Sequence, residues 1–484
     1  MEIKDKDLIS IQQARCCLRN ANEAHQKLCR MSQEQIDKIV KAIADAGEKN
    51  AERLGALAQK ETGFGNAKDK FTKNLFASRT LYEAIKDLKT VGILRDDKEK
   101  KVLDIGVSVG VIAGLVPSTN PTSTVIFKSL ISIKAGNAIV FSPHPNAKNC
   151  ILETVKCIKE AAEKAGCPEG AISCIETPTL NGTKELMQNN LTALILATGG
   201  PEMVKSAYTS GKPAIGVGAG NGPAFIHKSA NIKKAIKHIF ASKSFDNGTI
   251  CASEQSIIIE KCCQQEVEKE ILAQNGYILN DDEKKVLEKF ILSPRGTMNP
   301  AIVGKSATEI ASLAGLNNVP HNTKILLARE TKVGDAIPFS HEKLCPILAY
   351  YAEDNIDMVL EKAIKILQFE GAGHTFCIHA NDEEVVKKFA LEVPASRILV
   401  NTLGSLGGIG STTNLFPSLT LGCGAVGGSS SSNNIGPIDI INIRRVAYGV
   451  REPESVCVNN CSNNGYNESM IQQVVEQIMQ KLME

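Results

Sequence analysis

The clearest chemical signal in the sequence is a cysteine set among small residues, in the run FDNGTICASEQS at 245–256. Cys251 follows a glycine-containing turn and precedes an apolar, strand-like run. Its sulfur is therefore approachable, and a thiol becomes a strong nucleophile once part of it is thiolate. Any one of the chain's 15 cysteines is by default an inert core residue; the neighbours set this one apart. Asn120, in PSTNPTST, reads by itself as a turn residue before proline. The turn ATGG at 197–200 presents Thr198, Gly199 and Gly200 between an apolar run and a helical pattern. Backbone N–H groups and a helix N-terminus can meet a pyrophosphate at such a turn, although a plain αβ turn is the default. His374, in GAGHT, is a candidate for proton transfer beside a thiol, with a structural hydrogen bond as the equal alternative. No spacing of His, Cys, Asp or Glu suggests a metal site.

The elements that must position these residues are legible from periodicity. The first 90 residues read as helical; Ser32 with Gln35 forms a capping-box pattern ahead of Ile36, Ile39, Val40 and Ile43 on one face. From Val102 onward, strands at 109–116, 138–141, 171–175 and 192–196 alternate with helices at 122–135, 147–166, 182–190 and 201–210. This spacing predicts an α/β fold with an open, mostly parallel sheet and right-handed crossovers. A second α/β region from about 229 to 420 mixes helices (231–243, 264–274, 282–293, 354–368, 382–391) with strands (255–260, 347–351, 375–379, 397–400). The Gly/Ser/Thr/Asn-rich stretch 401–436 contains apolar residues and reads as an ordered loop lining a site.

Composition narrows the class. The chain has 484 residues, 43% of them hydrophobic, and a net charge of +2 from 55 basic and 53 acidic residues. It is long enough for two or three domains and has no electrostatic footprint for nucleic acid or an anionic membrane. With no Trp and 4% aromatics, base-stacking platforms are not expected. The apolar stretch 105–117 is too short to span a bilayer, and MEIKDKDLIS lacks the regions of a secretory signal. The scattered cysteines fit a reducing cytosol.

NGTICASEQ at 247–255 resembles the nucleophile motif of the aldehyde dehydrogenase superfamily, especially its CoA-acylating branch. VIAGLVPSTNPTST, LATGGPEMVKSA, GVGAGNGPAFI, EKLCPIL, GAGHTFCIHA and LTLGCGAVGG extend the resemblance in order over about residues 5–452. Within that branch it is most similar to propionaldehyde and acetaldehyde dehydrogenases of bacterial microcompartments. The resemblance implies that Cys251 attacks the aldehyde carbonyl and that Asn120 and the Cys251 N–H hold the oxyanion. It implies a variant Rossmann domain that binds a nicotinamide cofactor through Thr119, Ser142, Pro143, His144, Thr198, Gly199 and Gly200, with Glu342 on the nicotinamide ribose. No lysine stands at Ser142–His144, which favours NAD and leaves NADP open. Hydrolytic relatives carry a water-activating Glu six residues before the proline that falls here at Pro223; this chain has Val217. Coenzyme A is therefore the expected co-substrate, a small aldehyde (propionaldehyde favoured) the substrate, and acyl-CoA the product; the alternatives are a hydrolytic enzyme giving a free acid, or acetaldehyde or a semialdehyde as the main substrate.

The implied organisation is a cofactor domain at 1–228, a catalytic domain at 229–435, and a small oligomerisation hairpin combining 92–106 with 436–452, in a dimer or tetramer. Residues 453–467 read as a polar linker, and 468–484 as an amphipathic helix with Ser469 and Gln472 as its cap. This tail resembles the encapsulation peptides that dock cargo to shell proteins, which implies a bacterial cytoplasmic protein inside a microcompartment.

Overall fold

The computed structural model describes residues 4–293, 296, 298–452 and 468–483. The expected linker at 453–467 lies outside the described residues. The chain divides into two units, one of residues 1–92 and 107–442, the other of 93–106 and 443–484.

The smaller unit carries most of a three-stranded sheet in the order β1 (Gly92–Asp97), β2 (Val102–Ser108), β15 (Ile441–Ala447). It brings together the two distant segments expected to form a hairpin. The partly buried Asp104 lies against Arg95 (3.2 Å) and Arg445 (3.4 Å), an ion pair reaching both neighbouring strands. The helix Glu468–Met483 belongs to this unit and starts before Ser469, so Ser469 is not its cap.

The larger unit contains two parallel sheets. The first has five strands: β3 (Val111–Val116), β4 (Ala138–Pro143), β5 (Ile172–Cys174), β6 (Thr192–Ala197) and β7 (Ala214–Gly216). Their spatial order is β5-β4-β3-β6-β7. The chain builds outward from β3 on one side and then returns to build on the other, so a crevice opens at the carboxyl ends of β3 and β6, where such sheets take ligands. β3 and β4 are buried along their whole length, as sheets covered on both faces require. Lys128, on the buried helix Pro121–Lys134, donates to the carbonyls of Leu115 (2.6 Å) and Leu196 (2.7 Å) and ties β3 to β6 beside the crevice. The helix Gln33–Lys49 that packs outside has the full Ser32/Gln35 capping box and the expected apolar face.

The second sheet has seven strands: β8 (Pro223–Ile226), β9 (Ser256–Glu260), β10 (Gly276–Ile278), β11 (Ile325–Arg329), β12 (Ile347–Glu353), β13 (Gly373–His379) and β14 (Ala395–Val400), ordered β10-β11-β12-β9-β8-β13-β14. It begins at Pro223, earlier than the expected start at 229. The short strands β7, β8, β10 and β11 were not expected: each is too brief for its apolar run to show a period.

Candidate active site

The residues singled out above lie at the carboxyl ends of the five-stranded sheet and the amino ends of the seven-stranded one, which the Asn120–Thr249 hydrogen bond joins. Cys251 lies just before β9, and Gln255 donates its N–H to the Gly222 carbonyl (2.8 Å) just before β8. Glu342 precedes β12, and His374 opens β13.

Cys251 is partly exposed. Its surroundings are dry: burial first, then Glu342 and Cys423, push the thiol up to about 12, against an opposing pull from Arg397 and its own backbone N–H. Gly220 makes this packing possible, because a Cβ there would lie 1.8 Å from the Cys251 carbonyl oxygen. The Gly220 N–H is also directed at the Glu342 carboxyl. Burial, then Glu370, raise that carboxyl to about 8. Val217 is buried, with no carboxylate at its position.

Asn120 stands at the N-cap position of the helix Pro121–Lys134, but its side chain makes no bond to the helix's first turn. Its Nδ2 donates to the Thr249 carbonyl (3.1 Å), two residues before the thiol, and to Thr119 Oγ1 (3.3 Å). Behind it stands a buried cluster. Lys73 Nζ donates to Asn120 Oδ1 (2.5 Å), Asp246 Oδ2 (2.5 Å) and Thr249 Oγ1 (3.0 Å). Lys70 Nζ reaches the same Asp246 oxygen (3.0 Å) and the Thr119 carbonyl (3.0 Å). Burial alone would raise the Asp246 carboxyl, but Lys73 and Lys70 overcome it and hold it below its ordinary value. Asp246 and Asn247 both have left-handed backbone, at φ 47° and 51°. Such conformations cost on the order of 1 kcal/mol or more each and persist where the surroundings over-determine them. Sequence reasoning passed over Lys70 and Lys73, which three residues apart on a charged helix look like a solvated face. Asp246 fell within the nucleophile motif and was not singled out; an acid in an otherwise small, uncharged turn was the available signal.

Thr198, Gly199 and Gly200 share one cleft of about 350 Å³ with Ser142, Pro143 and His144. Gly200 begins the helix Pro201–Tyr208 with no side chain capping it. Thr198 Oγ1 is buried without a partner, and a side chain at Gly200 would meet nothing. Ser142 spends its hydroxyl on Thr183 (2.8 Å). Thr119 stands apart from this cleft, against Lys70 and Asn120. A larger surface cleft of about 940 Å³, between the helices Lys6–Leu28 and Lys148–Lys164, contains none of the expected residues.

His374 is fully buried, with Nδ1 against Thr375 Oγ1 (2.9 Å) and Nε2 without a partner. Burial, aided by Arg397, lowers it to about 3, so it is a neutral imidazole at physiological pH. Arg397 itself is buried and donates to the Gly422 carbonyl (2.7 Å), facing both Cys251 and Cys423 electrostatically. Among the described residues no cluster of His, Cys, Asp and Glu could hold a metal ion, and no helix is long and apolar enough to cross a membrane.

The aldehyde dehydrogenase family model matches residues 3–284, more than half of the chain. The chain belongs to the aldehyde dehydrogenase family. Among aldehyde dehydrogenase relatives, the bifunctional aldehyde-alcohol dehydrogenase of Escherichia coli (strain K12) is 46% identical over 430 residues, 88% of this chain and 48% of that protein. The chain thus spans about half the length of the curated relatives it matches first. A crystal structure of an acetylating aldehyde dehydrogenase from Geobacillus thermoglucosidasius aligns with a TM-score of 0.91 at 52% identity, covering 93% of this chain and 99% of that one. A propionaldehyde dehydrogenase from Rhodopseudomonas palustris, solved with bound CoA and an acylated cysteine, aligns with a TM-score of 0.82 at 27% identity, covering 90% and 97%.

Proposed function

We propose that this chain is a CoA-acylating aldehyde dehydrogenase that converts a short aldehyde, NAD and coenzyme A to an acyl-CoA. The reading rests on one observation above the others: the Asn120 amide bonds the turn that carries a partly exposed thiol two residues on, and the position assigned to the hydrolytic base is a buried valine. Water needs a strong base, whereas a thiol of pKa ~8.5, the value of a free cysteine, ionises without one. The acyl-enzyme therefore survives until CoA arrives. The acylated cysteine and bound CoA of the Rhodopseudomonas palustris protein support this assignment.

Cys251 adds through its sulfur to the aldehyde carbon, and the thiol proton leaves to solvent as the carbonyl oxygen becomes an oxyanion. Asn120 Nδ2, on releasing its longer bond to Thr119 Oγ1, and the Cys251 N–H hold that charge; one such donor contributes on the order of 3 kcal/mol. The Thr198–Gly200 turn suits a nicotinamide dinucleotide, as its unpartnered hydroxyl and uncapped helix start can meet the pyrophosphate. When bound, that cofactor accepts the hydride from the former aldehyde carbon, which leaves a thioester on Cys251. Ser142, Pro143 and His144 would border the adenosine ribose, and without a lysine there NAD is preferred. Glu342, held by Gly220, would face the nicotinamide ribose. CoA thiolate then attacks the thioester carbon and releases the Cys251 thiolate.

Propionaldehyde is the favoured substrate, by similarity to the propionaldehyde dehydrogenases. The terminal helix is the address of a microcompartment cargo: Met470, Ile471, Val474, Val475, Ile478 and Leu482 are all at least half exposed. Such a stripe suits helix-in-groove docking to a shell protein. The catalytic test is NADH formation from acetaldehyde, propionaldehyde and butyraldehyde, with and without CoA, in wild type and Cys251→Ala. CoA-dependent turnover lost in the alanine variant is expected. Free carboxylate as the product with CoA present would refute the reading.

A further inference from the structure

The reading of Cys251 and Asn120 leaves a buried charge cluster without a task, and the following inference rests on that reading. Lys70 and Lys73 are each only 3% exposed, and both ammonium groups converge on one carboxylate oxygen of Asp246. Two cations against one buried anion is an expensive arrangement for stability alone, since an apolar cluster of the same volume serves as well. Asp246 is fully engaged: it also accepts from Thr249 Oγ1 (2.7 Å) and the Asn66 N–H (2.9 Å). All three protons of Lys73 are directed, one each to Asn120 Oδ1, Asp246 Oδ2 and Thr249 Oγ1.

The consequence for Asn120 is chemical. An ammonium has no lone pair, so the amide atom facing Lys73 must be oxygen, and the NH₂ must face the Cys251 turn. A cation on the amide oxygen also draws density from nitrogen and makes its N–H a stronger donor. Through Thr249, the same lysine ties the amide to the segment that bears the thiol. We propose that Lys73, anchored by Asp246 and Lys70, is a positioning residue that orients and polarises the Asn120 amide for the oxyanion.

The test is a double-mutant cycle on the full chain, read as the pre-steady-state NADH burst with propionaldehyde and saturating NAD. The variants are Lys73→Met, Asn120→Ala and their combination, with thermal melting recorded for each. If Lys73 acts through Asn120, Lys73→Met slows the burst about 100-fold, in the range for loss of one oxyanion donor. Its aldehyde KM then stays within about twofold, and in the Asn120→Ala background it costs less than about threefold. Lys73→Gln, which keeps a donor without the charge, falls between wild type and Lys73→Met and carries the same cycle should the methionine variant not fold. Losses that multiply in the double variant, or a rise in KM with the burst intact, would overturn the proposal. An Asn120→Ala burst equal to wild type would overturn the functional reading, and this inference with it.

Discussion

At the scale of single residues, the site is governed by groups held away from their ordinary protonation states. Glu342 titrates near 8, raised by burial and then by Glu370, and it in turn helps raise the Cys251 thiol. A raised carboxyl is neutral below its pKa and charged above it. Below pH 8, Glu342→Gln should therefore alkylate with iodoacetamide at the wild-type rate. Above pH 8, wild type acquires a negative charge beside the thiol and the variant does not, so the variant should react several-fold faster. Equal rates at high pH would show that the two groups do not interact. A second expectation concerns Val217. Val217→Glu puts a buried carboxyl where hydrolytic relatives carry their base, and burial raises its pKa toward a working range. Product analysis should then find free acid in place of part of the acyl-CoA. Cys251, Asn120 and Val217 could be singled out in the sequence because each sits in a motif that resembles the family's. Lys70, Lys73, Asp246 and Arg397 were not, since their significance comes from partners far along the chain: Lys73 meets Asp246 across 173 residues.

At the scale of elements, the turn bearing Asp246 is built around two close approaches. Gly65 has φ 65°, and a Cβ there would lie 1.7 Å from Asp246 Oδ1. Gly65→Ala thus combines backbone strain with displacement of the buried carboxylate. It is expected to destabilise the chain by about 2–3 kcal/mol and to lower the NADH burst; denaturant unfolding and stopped-flow absorbance measure the two. The parallel strands β3, β4 and β6 were legible because Val/Ile runs alternate there with helical patterns at regular spacing. β7, β8, β10 and β11, of three to five residues, are strands by virtue of their neighbours, and no local pattern announces them.

At the scale of the whole molecule, all the residues given catalytic roles lie within residues 1–92 and 107–442, while the terminal helix belongs to the other unit. Truncation after residue 452 should leave the melting temperature of the purified protein unchanged and its CoA-dependent turnover within about twofold of wild type. The same truncation should abolish co-purification with shell particles. Aggregation or loss of turnover on truncation would instead mean that the apolar stripe packs on the enzyme itself.

The strip 217–222, which runs from β7 to β8, has a consequence for how this enzyme can change. Val217 is buried, Gly218 donates to Cys423 Sγ (3.4 Å), Gly220 admits the Cys251 turn, and the Gly222 carbonyl accepts from Gln255. Every residue past it inherits its alignment from this short tether. One inserted amino acid would slide the sulfur relative to the crevice at β3 and β6 while leaving both sheets intact. Indels in this strip should therefore be purged by selection, and laboratory libraries are better aimed at point changes there.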